Sequence, residues 1–97
     1  MELHEKKRIT LKLEETLSSR GRIRVFKVLS EFGELNVSDI ARKTGLNYTA
    51  TNVHLKALES MGLVREKRFG KIRIYRFNGD DPRAKALREL ITFWEKP

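Results

Sequence analysis

Between Asn36 and Gly62 the sequence prescribes two helices and leaves three residues to turn between them. In "NVSDIARKTG" Asn36 is a good N-cap and Asp39, three residues on, stands near the positive end of the helix dipole. Ile40 and Ala41 point inward, and Thr44–Gly45 closes the segment. Asn47 then offers a second cap, a helix runs from about Tyr48 to Ser60, and Gly62 stops it. Only "GLN" lies between the two. The rest of the chain has to be arranged around this pair.

Upstream, "SSRGRIRVFKVLSEFG" reads as a helix that Ser18 or Ser19 can start and Gly33 can end. Ile23, Val25, Phe26, Val28, Leu29 and Phe32 cover more than one stripe of it, so it is central to the core. Residues 9–17 read as a short helix, and Glu34–Leu35 as a brief extended link. Downstream, "LVREKRFGKIRIYRFN" gives two β-rich runs, with Phe69-Gly70-Lys71 as the hairpin tip. A last helix follows, capped by Asp80 or Asp81 with Pro82 in its first position. Leu87, Leu90, Ile91 and Trp94 form one apolar stripe along it.

Two short helices joined by a tight glycine-bearing turn are a helix-turn-helix. With the hairpin behind it, "LNVSDIARKTGLNYTATNVHLKALESMGLV" followed by "REKRFGKIRIYRF" resembles the winged helix-turn-helix of the ArsR and MarR-like transcription regulators, especially their small archaeal members. The fold class expected is thus α+β, mainly α: a winged helix-turn-helix with a C-terminal amphipathic dimerisation helix. Residues 1–18 are an N-terminal extension, 19–78 the winged-helix core and 80–97 the C-terminal helix of one domain. The resemblance implies a homodimer on double-stranded DNA. The second helix of the motif enters the major groove, and the wing, about 63–77, lies on the adjacent backbone or minor groove. Thr51 departs from the pattern, which usually has an aliphatic residue there. A threonine can return its hydroxyl to a carbonyl of its own helix, so the fold survives.

Charge sharpens this reading. The chain has 97 residues and a formal net charge of +8, which calls for an anionic partner. Residues 47–61 hold one base and one acid, whereas residues 62–79 hold six bases and one acid, +5. Phosphate neutralisation explains that hairpin better than a merely blunted sheet edge does. Arg68, Lys71 and Arg73 flank the tip and are its favoured phosphate contacts. On a helical wheel Thr51, Leu55 and Leu58 face inward with His54 at the edge, and Thr49, Asn52, Val53 and Lys56 face out. Tyr48 stands at the end that first meets bases. An outward face of hydroxyl, amide, methyl and one amine suits base edges, and ordinary solvated helices prefer Glu, Lys and Arg. Tyr48, Thr49, Asn52, Val53 and Lys56 are the expected base readers. Ser38, Arg42 and Lys43 on the first helix of the motif, together with Asn47 and His54, are expected at phosphates. Leu87, Leu90, Ile91 and Trp94 are the expected dimer seam.

Other classes of function find no support. The chain has no cysteine, so disulfides, thiolate metal sites and thiolate catalysis are excluded. His4 and His54 are far apart, and no metal, cofactor or catalytic constellation is written in the sequence. No apolar run approaches the length of a membrane span, and the N-terminus lacks an apolar signal region, which places the protein in the cytoplasm, on the nucleoid. Two rivals remain: an architectural chromatin protein with little sequence preference, and a winged-helix interaction module of a transcription complex. The operator, the sign of regulation and any small-molecule effector are not written in the sequence.

Overall fold

A computed structural model describes residues 13–97. Its elements are α1 (Leu13–Leu17), α2 (Arg20–Phe32), β1 (Glu34–Asn36), α3 (Val37–Thr44), α4 (Tyr48–Ser60), β2 (Val64–Phe69), β3 (Ile72–Phe77) and α5 (Pro82–Trp94). Residues 9–12 of the first expected helix lie outside the described residues; 13–17 are helical. The mainly helical chain with its antiparallel wing is a winged helix-turn-helix.

Local chemistry sets most of the boundaries. Ser19, Asn36 and Asn47 cap α2, α3 and α4, each side chain accepting from the backbone N–H three residues on. Asp81, not Asp80, caps α5, accepting from Arg83 and Ala84 with Pro82 next in line. At the end of α4, Gly62 (φ 81°) donates to the Glu59 carbonyl and Leu63 to that of Leu58. This double closure needs the left-handed backbone that glycine supplies.

The link expected at Glu34–Leu35 is a strand. β1 pairs antiparallel with β3, Leu35 opposite Tyr75, giving a three-stranded sheet in the order β1-β3-β2. The hairpin is also tighter than expected. Phe69 and Ile72 are its last pair, and only Gly70-Lys71 turns, with Gly70 at φ 59°.

The core lies between α2, the helix pair and the sheet. Val25, Phe26 and Leu29 meet Ile40, Leu55, Leu58, Val64 and Tyr75, all of them buried. Phe26 and Phe77 meet edge to face, ring centroids 5.8 Å apart. Thr51 is fully buried, and its hydroxyl donates to the Asn47 carbonyl at 2.8 Å. The polar atom is thereby satisfied inside its own helix. Phe32 is half exposed at the end of α2, with the Lys43 ammonium 4.4 Å from its ring centroid.

Candidate nucleic-acid interface

Recognition would fall to α4 and the wing, and the path from one to the other is short. Tyr48, Thr49, Val53 and Lys56 stand exposed along α4. Asn52 is half-buried, because the wing reaches across to it. Arg73 Nη1 donates to Asn52 Oδ1 at 2.7 Å, and Asn52 Nδ2 donates to the Tyr48 carbonyl at 3.1 Å.

Arg73 is held from its own sheet as well. It donates to Glu66 Oε2 at 2.8 Å and to the Tyr75 hydroxyl at 3.0 Å. The bond from Arg73 holds the Glu66 carboxyl below the usual carboxylate range, and the same bond raises the Arg73 guanidinium further. Burial pushes the Tyr75 phenol up. Both side chains of the Arg73–Glu66 pair are about four-fifths shielded from solvent, at 19% and 18% exposure. Such a partly desolvated, charge-assisted pair is stronger than an ordinary surface ion pair.

The expected phosphate contacts are therefore unequal. Lys71 is exposed at the wing tip. Arg68 is exposed and shares Glu66 at 3.3 Å. Arg73 is committed to the network, so the geometry moves it out of the set of free backbone contacts. On α3, Ser38 and Arg42 are exposed, Arg42 pairing with Asp39 one helical turn earlier at 2.5 Å, and Lys43 sits over Phe32. The Asn47 side-chain Oδ1 accepts from the Ala50 N–H, and Asn47 is exposed.

His54 also departs from expectation. A Cβ placed on Gly21 would lie 2.7 Å from its Nε2, so the imidazole rests on α2 and not on the open side of α4. Burial, and then the charge of Arg22, hold its pKa below 6.5, which leaves it neutral at pH 7 and unsuited to attract phosphate. Its Nδ1 is buried without a hydrogen-bond partner among the described residues.

Two organising residues were missed from the sequence, Glu66 and Tyr75. The signal for them was present. Glu66 is the lone acid of the hairpin, and a two-residue turn at Gly70-Lys71 puts it directly opposite Tyr75. Arg24 donates to the Thr44 carbonyl at 2.9 Å and so closes the C-terminus of α3.

The expected dimer stripe is split. Leu87 and Ile91 are half-buried against their own core, and Leu90 and Trp94 face solvent, Trp94 at 78% exposure. Phe93 is exposed beside them, as are Leu13 and Leu17 on α1. Among the described residues no three His, Cys, Asp or Glu side chains gather as a metal site would need, and no helix is long and apolar enough to cross a membrane.

Comparison with known proteins points the same way. The family model described as "Bacterial regulatory protein, arsR family" matches residues 19–66. Rv0324 of Mycobacterium tuberculosis, an HTH-type transcriptional regulator, is 37% identical over 67 residues, covering 69% of this chain. The chain spans only 29% of that curated relative's length. The winged helix-turn-helix DNA-binding domain of Mb0332 from Mycobacterium bovis, described as homodimeric and as a possible ArsR-family regulator, is 32% identical. It superposes with a TM-score of 0.69 over 82% of this chain and 71% of that one. HlyU from Vibrio cholerae matches over the full length of both chains with a TM-score of 0.77 at 23% identity, a likeness of fold. These relatives are bacterial, not archaeal. On the family model and the Mb0332 domain together, the chain belongs to the arsR family of bacterial regulatory proteins.

Proposed function

We propose that the protein is a sequence-specific transcription regulator that binds double-stranded DNA as a homodimer. The observation that carries this is the bond from Arg73 on the wing to Asn52 on α4. It lays the basic hairpin beside an exposed helix face that bears a phenol, a hydroxyl, a valine and one amine. In this reading Tyr48, Thr49, Val53 and Lys56 meet base edges in the major groove, and Asn52 joins them with what its bonds leave free. Arg68 and Lys71 on the wing and Ser38, Arg42, Lys43 and Asn47 around the helix pair meet phosphates. His54 and Arg73 act from behind. The working site is the nucleoid, in the cytoplasm.

The second copy would sit on the apolar face of α5 and α1. Leu90, Phe93, Trp94, Leu13 and Leu17 are too many large apolar side chains to leave in water together. The homodimeric Mb0332 domain supports a two-copy assembly.

Duplex binding across a salt series, with a selected site and a random sequence, tests the function. A regulator binds the selected site tighter by on the order of a thousandfold or more. Equal affinity for both would mean an architectural DNA-binding protein, and no binding to either at low salt would mean a protein-interaction module.

A further inference from the structure

Arg73 has a bonding partner on each of three elements. Its Nε donates to Glu66 Oε2 on β2 at 2.8 Å, its Nη2 to the Tyr75 hydroxyl on β3 at 3.0 Å, and its Nη1 to Asn52 Oδ1 on α4 at 2.7 Å. One planar group thus uses all of its nitrogens, each toward a different partner. The two bonds within the sheet set the plane of the guanidinium, and that plane sets where Asn52 must lie. Asn52 is tied in turn to the first turn of its own helix, Nδ2 donating to the Tyr48 carbonyl at 3.1 Å.

This contact stands where the wing leaves its neighbour strand. β1 accompanies β3 only as far as Ile74, and Arg73 is the next residue toward the tip. Among the described residues one other hydrogen bond joins the wing strands to α4, from the Glu66 N–H to Glu59 Oε2, and at 3.4 Å it is long. From Ile74 to the turn at Gly70-Lys71 extended chain covers about 12 Å. Rocking by about 10° would carry Lys71 through about 2 Å, well beyond the ~0.5 Å within which a recognition constellation has to be held. Binding to random sequence tolerates such motion, because phosphates recur along any duplex. A specific complex must meet bases and phosphates together, and a loose wing has to be ordered each time, at a cost in affinity.

We propose that Arg73 is a positioning residue for DNA recognition: it latches the wing to the N-terminal half of α4, so that phosphate contacts at the wing tip and base contacts on the helix are met in one register. The inference rests on the DNA-binding reading above. Asn52 keeps a second lone pair on Oδ1 and a second N–H on Nδ2 beyond these bonds, so the latch does not use that side chain up.

The test compares wild type with two variants, each titrated across a salt series on a selected and a random duplex. Arg73→Lys keeps the charge, but a single ammonium lacks the fork that reaches all three partners. Glu66→Gln combined with Arg73→Met removes the latch with no change in net charge. Each should lower the selected-over-random ratio by about tenfold, the size of one lost base contact, and hold affinity for the random duplex within about twofold. Neither should lower the salt slope, because no phosphate contact is removed. A loss confined to folding would reduce the active fraction for both duplexes alike and leave the ratio where it was.

A ratio unmoved in either variant overturns the proposal; for Arg73→Lys it would mean that charge alone suffices. So does a double variant whose salt slope falls by about one unit, the mark of a direct phosphate contact. The wild-type complex supplies a check that needs no variant to fold. The nuclear Overhauser contact between the Arg73 guanidinium and the Asn52 amide protons should persist from the free chain to the complex with the selected duplex. Its loss on binding would show the latch released and overturns the proposal as well. Wild-type binding that does not distinguish selected from random duplex is a separate result: it removes the DNA-specific reading itself, and the proposal with it.

Discussion

Gly21→Ala tests the packing that takes His54 away from DNA. Gly21 lies in the first turn of α2, and the new Cβ would stand 2.7 Å from Nε2 and 3.1 Å from Cδ2 of His54. Ordinary contact begins near 3.4 Å, so the ring must withdraw by about 0.7 Å or swing out. Overpacking of this kind costs about 1–3 kcal/mol. Against it stands the gain from replacing a helical glycine with alanine, about 0.5–1 kcal/mol, smaller near a helix end. The net expectation is a loss of about 1 kcal/mol, or a melting temperature lowered by about 4–8 °C for a domain of this size. The sign should reverse without the imidazole. In a His54→Ala background, Gly21→Ala should stabilise by about 0.5 kcal/mol or more. The double-mutant cycle would then carry a coupling of about 1–3 kcal/mol. Urea denaturation at a fixed protomer concentration measures all four proteins, since dimerisation ties stability to concentration. If Gly21→Ala stabilises the parent chain, the imidazole moves aside at no cost. It would then be available to the outer surface of α4, and the reasoning that confines it to α2 fails.

Other outcomes follow from the same contacts. The His54 imidazole should titrate below 6.5 by NMR. Since the unfolded chain then takes up the proton first, stability is intact above pH 6.5 and falls as the pH drops through that value. The slope is at most about 1.4 kcal/mol per pH unit for the one proton, and it flattens below the folded pKa. Thr51→Val should change stability by less than about 1 kcal/mol. The carbonyl it abandons still accepts from the Thr51 N–H at 3.0 Å, and a buried methyl offsets the lost hydroxyl bond. A loss above about 2 kcal/mol in urea denaturation would show the hydroxyl to be irreplaceable. Arg68→Ala and Lys71→Ala should each lower the salt slope of duplex binding by about one unit and weaken selected and random sites alike. Trp94→Asp should shift sedimentation from dimer toward monomer while leaving the monomer's circular dichroism unchanged, because Trp94 contributes little to its own core at 78% exposure.

The helical frame was legible because its ends are decided by neighbours in sequence. Asn36, Asn47 and Ser19 each bond an N–H three residues away, and Gly45 and Gly62 supply the left-handed backbone their turns need. The inward face of α4 was equally plain, since Thr51, Leu55 and Leu58 recur at helical spacing and all three are buried. β1 was not legible. Three residues of no particular β character are extended because β3 lies beside them, and that partner is about forty residues further on. His54 failed for a similar reason. What decides its direction is the missing side chain of Gly21, on another helix, and a wheel drawn for α4 alone carries no trace of it.

The arginines of the wing separate for a reason that is neither charge nor propensity. Arg68, Arg73 and Arg76 are chemically alike, and the strand alternation sorts them only once the register is known. The register is pinned at both ends. At the base, Val64 lies opposite Phe77 and both are buried; at the tip, Gly70 takes the positive φ that a two-residue turn demands. Sliding one strand by a single residue would carry Tyr75 and Phe77 to the solvent face, at about 1.5–3 kcal/mol for each large apolar side chain exposed. That exceeds the worth of any one ion pair on the hairpin. Apolar burial therefore fixes the register, and the register puts Arg73 on the same face as Tyr75, opposite Arg68 and within reach of Glu66 and Asn52. Arg76, on the alternate face, stays exposed across from Arg65. Which arginine is sequestered beside the recognition helix, and which are left for phosphate, is thus a consequence of the hydrophobic core at the far end of the wing.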